Sequence, residues 1–317
     1  MNSRFQTLLV RLAAATFAIC AASAGVQAQT PGIDGEISVA KAAVFEFDPV
    51  FLALGIHTAL PAAQYVELPL SLVEVEKQVG GNWVGQPTYP PASKPLRLRL
   101  EAGDSHWVEL PIWDSRVLEL PGTYRVRFTF RHSDTTGPTT AEVQSPWQTL
   151  TVASHAANVA AMQVAGVRAE YDRMLASGFG RSGRPGAVIA DLDETLVLPL
   201  QAVNLSTDLR TFASVILAHR RLGEAEAEFE GTAAQVNALN AASALVAGLS
   251  SQSYGGKVGG LGAHLIYAQA LTDWYRATTV QQFDQATALF QTIASRFSDA
   301  GSTYERESLE WIRELRF

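Results

Sequence analysis

The densest run of potentially reactive side chains is Asp191-Leu192-Asp193-Glu194-Thr195-Leu196, placed directly behind the apolar stretch Val188-Ile189-Ala190. A carboxylate can serve as a nucleophile and a neighbouring acid as a proton donor, so Asp191 and Asp193, two residues apart behind an apolar segment, are the first candidates for covalent or acid–base chemistry. Lys257, in Ser253-Tyr254-Gly255-Gly256-Lys257, is the one lysine that follows Asp193. The competing reading makes Asp191, Asp193 and Glu194 solvated acids at a turn or helix start, where negative charge is favourable.

Other reactive residue types lack the spacing their chemistry requires. The glycine-rich run from Gly255 to Gly262 precedes a helical pattern and has the makings of an anion cradle. Val258 stands where a phosphate loop has Ser or Thr, and the dinucleotide fingerprint is also missed. Around Ser182 the sequence Gly180-Arg181-Ser182-Gly183-Arg184 fails the nucleophile elbow, because Arg184 replaces its last glycine. His57, His106, His132, His155, His219 and His264 are spread singly, with no pair at metal-ligand spacing. Glu224, Glu226, Glu228 and Glu230 read as a solvated helix end.

The elements that would position these residues fall into two classes. From about Glu36 to Ala153 the pattern has period two, clearest in Leu96-Arg97-Leu98-Arg99-Leu100 and in Tyr124-Arg125-Val126-Arg127-Phe128-Thr129-Phe130. Further strands are expected at 39–47, 65–77, 107–112, 116–120 and 147–152, divided by turns such as Gly80-Gly81-Asn82 and Pro90-Pro91. Short half-buried strands of this number predict a β-sandwich over 29–153. After Ser154 the period becomes helical, and helices are expected at 154–176, 206–230, 232–249, 261–277, 279–297 and 302–316. Thr279-Val280-Gln281-Gln282 and Ser302-Thr303-Tyr304-Glu305 both read as capping boxes. The fold class expected is an N-terminal all-β sandwich followed by an all-α domain over 154–317.

Three resemblances attach to these residues. The segment Leu120-Pro121-Gly122-Thr123-Tyr124 ahead of an alternating strand resembles the tyrosine corner of immunoglobulin-like domains, in which the phenol closes back on upstream backbone. With Val126 where antibody domains carry cysteine, and with Ser145-Pro146-Trp147 opening a last strand, it looks like the cysteine-free modules of secreted bacterial proteins. Residues 261–317 resemble part of a tetratricopeptide repeat, through Phe283-Asp284-Gln285-Ala286, Phe290 and a new helix at Tyr304. Ser298-Asp299 stands where that repeat has proline. The run Val188–Leu196 resembles the first motif of the haloacid dehalogenase phosphohydrolases, which implies Asp191 as nucleophile and Asp193 as acid and base. The later acids of that family have no match here: Asp273, Asp284 and Asp299 follow helical patterns or turns, and 154–317 lacks its alternating strands.

Composition frames the functional expectation. The chain has 317 residues, 47% hydrophobic and 17% charged, which suits packed domains and excludes disorder or fibrous repetition. Arg4 and Arg11, the apolar run from Leu12 to Gly25 and Val26-Gln27-Ala28 read as a signal peptide over 1–28, cleaved near Ala28. Its removal takes the sole cysteine, Cys20, and leaves a chain more acidic than the −7 of the whole, with no footprint for nucleic acid and no transmembrane segment. The expectation is a periplasmic or secreted, non-catalytic binding or structural protein whose partner is another protein or an envelope component. The alternative is the Mg²⁺-dependent phosphohydrolase with Asp191, Asp193 and Lys257.

Overall fold

A computed structural model describes residues 32–68, 73–86, 96–111, 118–136, 141–177, 192–249 and 260–296. Strands dominate 33–153, and helices dominate the described residues that follow. The strands are β1 (Ile33–Val39), β2 (Ala43–Phe45), β3 (Phe51–Thr58), β4 (Gln64–Leu68), β5 (Val73–Val79), β6 (Asn82–Gly85), β7 (Leu96–Leu100), β8 (Ser105–Pro111), β9 (Gly122–Ser133), β10 (Ala141–Gln144) and β11 (Gln148–Ala153). One sheet has the order β1-β3-β8 and is antiparallel throughout. The other is organised by the twelve-residue β9. Its first half pairs with β11 and β5, and its second half pairs with β10 and β4. β2 joins the far side of β11 in parallel.

The alternation along β9 explains its place. Tyr124, Val126 and Phe128 point into a core shared with Ile37, Leu52, Leu54 and Ile56 of the three-stranded sheet, while Arg125 and Arg127 point outward. Gly35 of β1 lies under the stacked rings of Phe128 and Phe130, whose centroids are 5.5 Å apart. A β-carbon at Gly35 would stand 3.0 Å from both rings, so glycine is what permits this approach. The Tyr124 hydroxyl donates to the Leu120 carbonyl at 2.5 Å, the closure expected of that segment. The strand expected over 116–120 is replaced, in its described part, by a turn that carries buried Leu118 towards this corner.

β3, like the short β6 and β10, lies outside the strands that period two predicts. Its even residues Leu52, Leu54 and Ile56 fill the sandwich, while Phe51 and Ala53 on its other face belong to the helical core. A strand covered on both sides reads as a continuous apolar run, and Val50 to Gly55 is one.

The helices are α1 (Ala156–Met162), α2 (Val167–Ser177), the single turn α3 (Glu194–Val197), α4 (Thr207–Glu226), α5 (Ala233–Val246), α6 (Gly260–Arg276) and α7 (Val280–Arg296). The helix expected over 154–176 is two, broken at Gly166, whose φ of +85° only glycine holds without strain. α4 is buried on nearly every side, as befits the central helix of a core that includes Tyr171, Phe212, Leu265 and Phe290. The Thr279 capping box forms reciprocally: the Gln282 amide donates to the Thr279 hydroxyl at 3.3 Å and the Thr279 amide to Gln282 Oε1 at 3.1 Å. Phe290 is buried against Tyr267 in this core, while half-buried Phe283 packs on Trp274 at its edge. The last expected helix, 302–316, and the expected leader, 1–28, lie outside the described residues. No helix among the described residues is long and apolar enough to cross a membrane.

Candidate functional site

Asp193 is the N-cap of α3. Its Oδ1 accepts from the Thr195 amide at 3.0 Å and from the Thr195 hydroxyl at 2.6 Å, and the hydroxyl bond foremost holds its carboxyl below the usual range. The Asp193 amide in turn donates to buried Glu170 at 2.7 Å, while Glu194 pairs with Arg221. The second acid and the threonine of the run thus close a short helix at the surface. Asp191, Lys257 and the glycine-bearing segments around them lie outside the described residues. No group of three or more His, Cys, Asp or Glu side chains able to hold a metal ion occurs among the described residues.

Two histidines that stand 45 positions apart in sequence meet in the helical core. The rings of His219 on α4 and His264 on α6 lie edge to face at 6.3 Å, with Tyr267 and Phe51 beside them. Burial pushes the His219 imidazole down to about 4 and His264 well below its ordinary value, so both are neutral core rings near pH 7. No local spacing announces such a pair, because its members come from different helices. Of the acidic helix end, Glu224 bridges to Arg220 and Arg221, and Glu226 accepts from Tyr275.

The outer face of the larger sheet carries an ordered array of charged and aromatic side chains. Arg125 and Arg127 stand opposite Glu76 and Glu74 of β5 in register. Arg125 Nε donates to Glu76 at 2.6 Å, and Arg127 grips Glu74 through Nε at 2.9 Å and a terminal nitrogen at 2.7 Å. Thr129 adds a hydroxyl bond to Glu74 at 3.2 Å. These bonds orient the guanidinium groups to stack on indoles. Arg125 lies 4.5 Å from the Trp83 ring and 4.2 Å from Trp147, and Arg127 lies 4.4 Å from Trp147. The result is a continuous stack, Trp83–Arg125–Trp147–Arg127, drawn from three strand regions and half-exposed along its length. Each cation–π contact contributes about 0.5–1 kcal/mol at such a surface. Tryptophan and arginine are also the side chains most enriched at interface hot spots, and their fixed rotamers lower the entropy lost on binding. The sequence shows the Arg alternation but not the two tryptophans closing on it, since Trp83 comes from β6 and Trp147 from the segment before β11.

No family model matches the chain, and no curated protein matches it. Solved structures similar in part include a β-glucosidase from Erythrobacter marinus, at 10% identity over 38% of this chain and 15% of that one, with a TM-score of 0.24. The CARDB domain of a Pyrococcus furiosus protein, solved with di-metal ions, is 12% identical over 40% of this chain and 97% of its own, at 0.23. The sporulation control protein Spo0M from Bacillus subtilis is 10% identical over 42% of this chain and 56% of its own, at 0.26. The chain spans less than a sixth of the β-glucosidase. Likenesses this slight attach no activity to it.

Proposed function

We propose that this is an exported, non-catalytic binding or structural protein of the cell envelope. In this reading a cysteine-free immunoglobulin-like sandwich presents its outer sheet face to a protein or envelope component, and the helical region, with its repeat-like α6–α7 end, serves as the base. The observation that carries it is the Trp83–Arg125–Trp147–Arg127 stack, a preorganised, half-exposed set of hot-spot side chains whose charges are already balanced by Glu74 and Glu76. The Tyr124 closure onto Leu120 and the two facing sheets support the immunoglobulin-like assignment.

The test is recovery of partners from the envelope fraction by the mature chain and by a Trp147→Ala, Arg127→Ala double variant of unchanged circular dichroism. A specific partner should be recovered at least about tenfold less by the variant, the size expected when hot-spot side chains are truncated. Equal recovery would remove the stack from the reading. Mg²⁺-dependent turnover of a phosphate ester, abolished by Asp191→Asn, would overturn the non-catalytic reading itself.

A further inference from the structure

Three side chains on the three-stranded sheet, on the face turned away from the sandwich core, form a constellation that neither the α3 cap nor the Trp–Arg stack uses. His57 lies on the central strand β3, with Ser105 of β8 directly opposite on one side and Asp34 of β1 on the other. Glu36 stands two residues along β1 from Asp34, on the same face and diagonal to His57, within reach of a long side chain. Ser105 Oγ meets His57 Nδ1 at 2.8 Å, and Glu36 Oε2 lies 3.6 Å from His57 Nε2. The turn before β8 holds the serine at that position. The Asp104 carboxylate accepts from the Glu101 amide at 2.9 Å, and the Asp104 carbonyl accepts from the Thr58 amide at 3.0 Å, which ties the turn to the residue after His57. Ser105 and the turn are exposed, and a β-carbon on Gly103 would meet nothing within 4 Å, so a small molecule has an open approach to the hydroxyl.

We propose that Ser105 is an acyl-acceptor site, a serine whose hydroxyl is activated by His57 and which takes one acyl group from an activated ester. The roles follow from the two ring nitrogens. A carboxylate beside Nε2 favours the tautomer with its proton there, which leaves the Nδ1 lone pair facing the Ser105 hydroxyl. At 3.6 Å Glu36 is beyond hydrogen-bond length but within ion-pair distance, so it is a positioning residue that steadies the imidazolium once His57 takes the proton. In the step, Ser105 Oγ forms a bond to the acyl carbon, the bond from that carbon to the leaving oxygen or sulfur breaks, and the serine proton passes through His57 to the departing group. Base assistance alone is worth about 10²–10⁴-fold. That suffices for a donor whose leaving group departs readily, an aryl ester or a thioester, and not for hydrolysis of the alkyl ester that forms on Ser105. The site therefore accepts an acyl group without turning over, a covalent role beyond binding that accords with a non-catalytic protein.

Acetylation of the whole chain by p-nitrophenyl acetate tests the site. The wild type should release one equivalent of nitrophenolate and carry one acetyl group, located at Ser105 by peptide mass spectrometry, at a rate at least about 100-fold above Ser105→Ala and His57→Gln. Glu36→Gln should slow acetylation and shift the His57 ring-nitrogen resonances away from the Nε2–H tautomer, a signature that a merely structural role would not move. Unchanged circular dichroism makes the variants comparable, and the position of the acetyl group in the wild type needs no variant. Equal acetylation of Ser105→Ala, or an acetyl group found on lysines alone, would overturn the proposal. Turnover of many equivalents by the wild type would also overturn it, since the site would then be hydrolytic.

Discussion

Individual buried side chains set the responses of this protein that are simplest to measure. His219 titrates near 6.5 in an unfolded chain and only near 4 in the fold, because burial disfavours its charged form. Its contribution is therefore complete above about pH 6.5 and is lost as pH falls towards 4, by up to about 3 kcal/mol. Urea midpoints measured from pH 7 to pH 4 should decline, with buried His264 acting in the same sense, and His219→Leu should make the decline shallower without abolishing it. Tyr124→Phe removes a single hydroxyl bond and leaves the ring in place, so it should cost about 1 kcal/mol with an unchanged urea m-value. Gly35→Ala drives a methyl to within 3.0 Å of Phe128 and Phe130; overpacking of this kind should destabilise by about 1–3 kcal/mol.

The termini of elements carry more than local propensity does. Ser206 caps α4 and also binds Asn158 and Asp48, so Ser206→Ala removes a cap and strands two buried partners. A loss of about 2–4 kcal/mol is expected, against about 1 kcal/mol for Thr279→Ala in the exposed capping box of α7. Thermal melts of the two variants should rank them in that order. Both caps are legible as a hydroxyl residue before a helical period. What the sequence hides at Ser206 is the company it keeps, because Asn158 and Asp48 lie 48 and 158 positions away.

At the scale of the whole molecule, the coupling of strands to helices rests on β3. Phe51 and Ala53 lie in the helical core and Leu52 and Leu54 in the sandwich core, one residue out of phase along the same strand. Residues 31–317 accordingly form one compact unit, although two kinds of secondary structure compose it. Phe51→Ala should cost about 3–5 kcal/mol and lower the transitions of both parts together. Tryptophan fluorescence and the helical signal at 222 nm should then trace one coincident curve; separate midpoints would show that the halves unfold independently.

The amino-acid sequence by itself determined that a strand-forming region precedes a helical one. Period-two alternation marks β9 because one face is wet, helical periods mark α4 to α7, and Leu120 to Tyr124 marks a closed corner whose partners are four residues apart. It also supplied the Asp193 run, where the carboxylate serves a cap two residues on. Signals of this kind are local, and local hydrogen bonds and periodic burial write themselves into neighbouring positions. Tertiary structure alone decided the rest. β3 carries no alternation because it is buried on both faces, and the break at Gly166 depends on a backbone angle that residue type permits but does not demand. The Trp–Arg stack, the His219–His264 pair and the Asp48–Ser206–Asn158 cluster join residues from separate elements. Only packing brings such residues within reach, so no spacing along the chain records them.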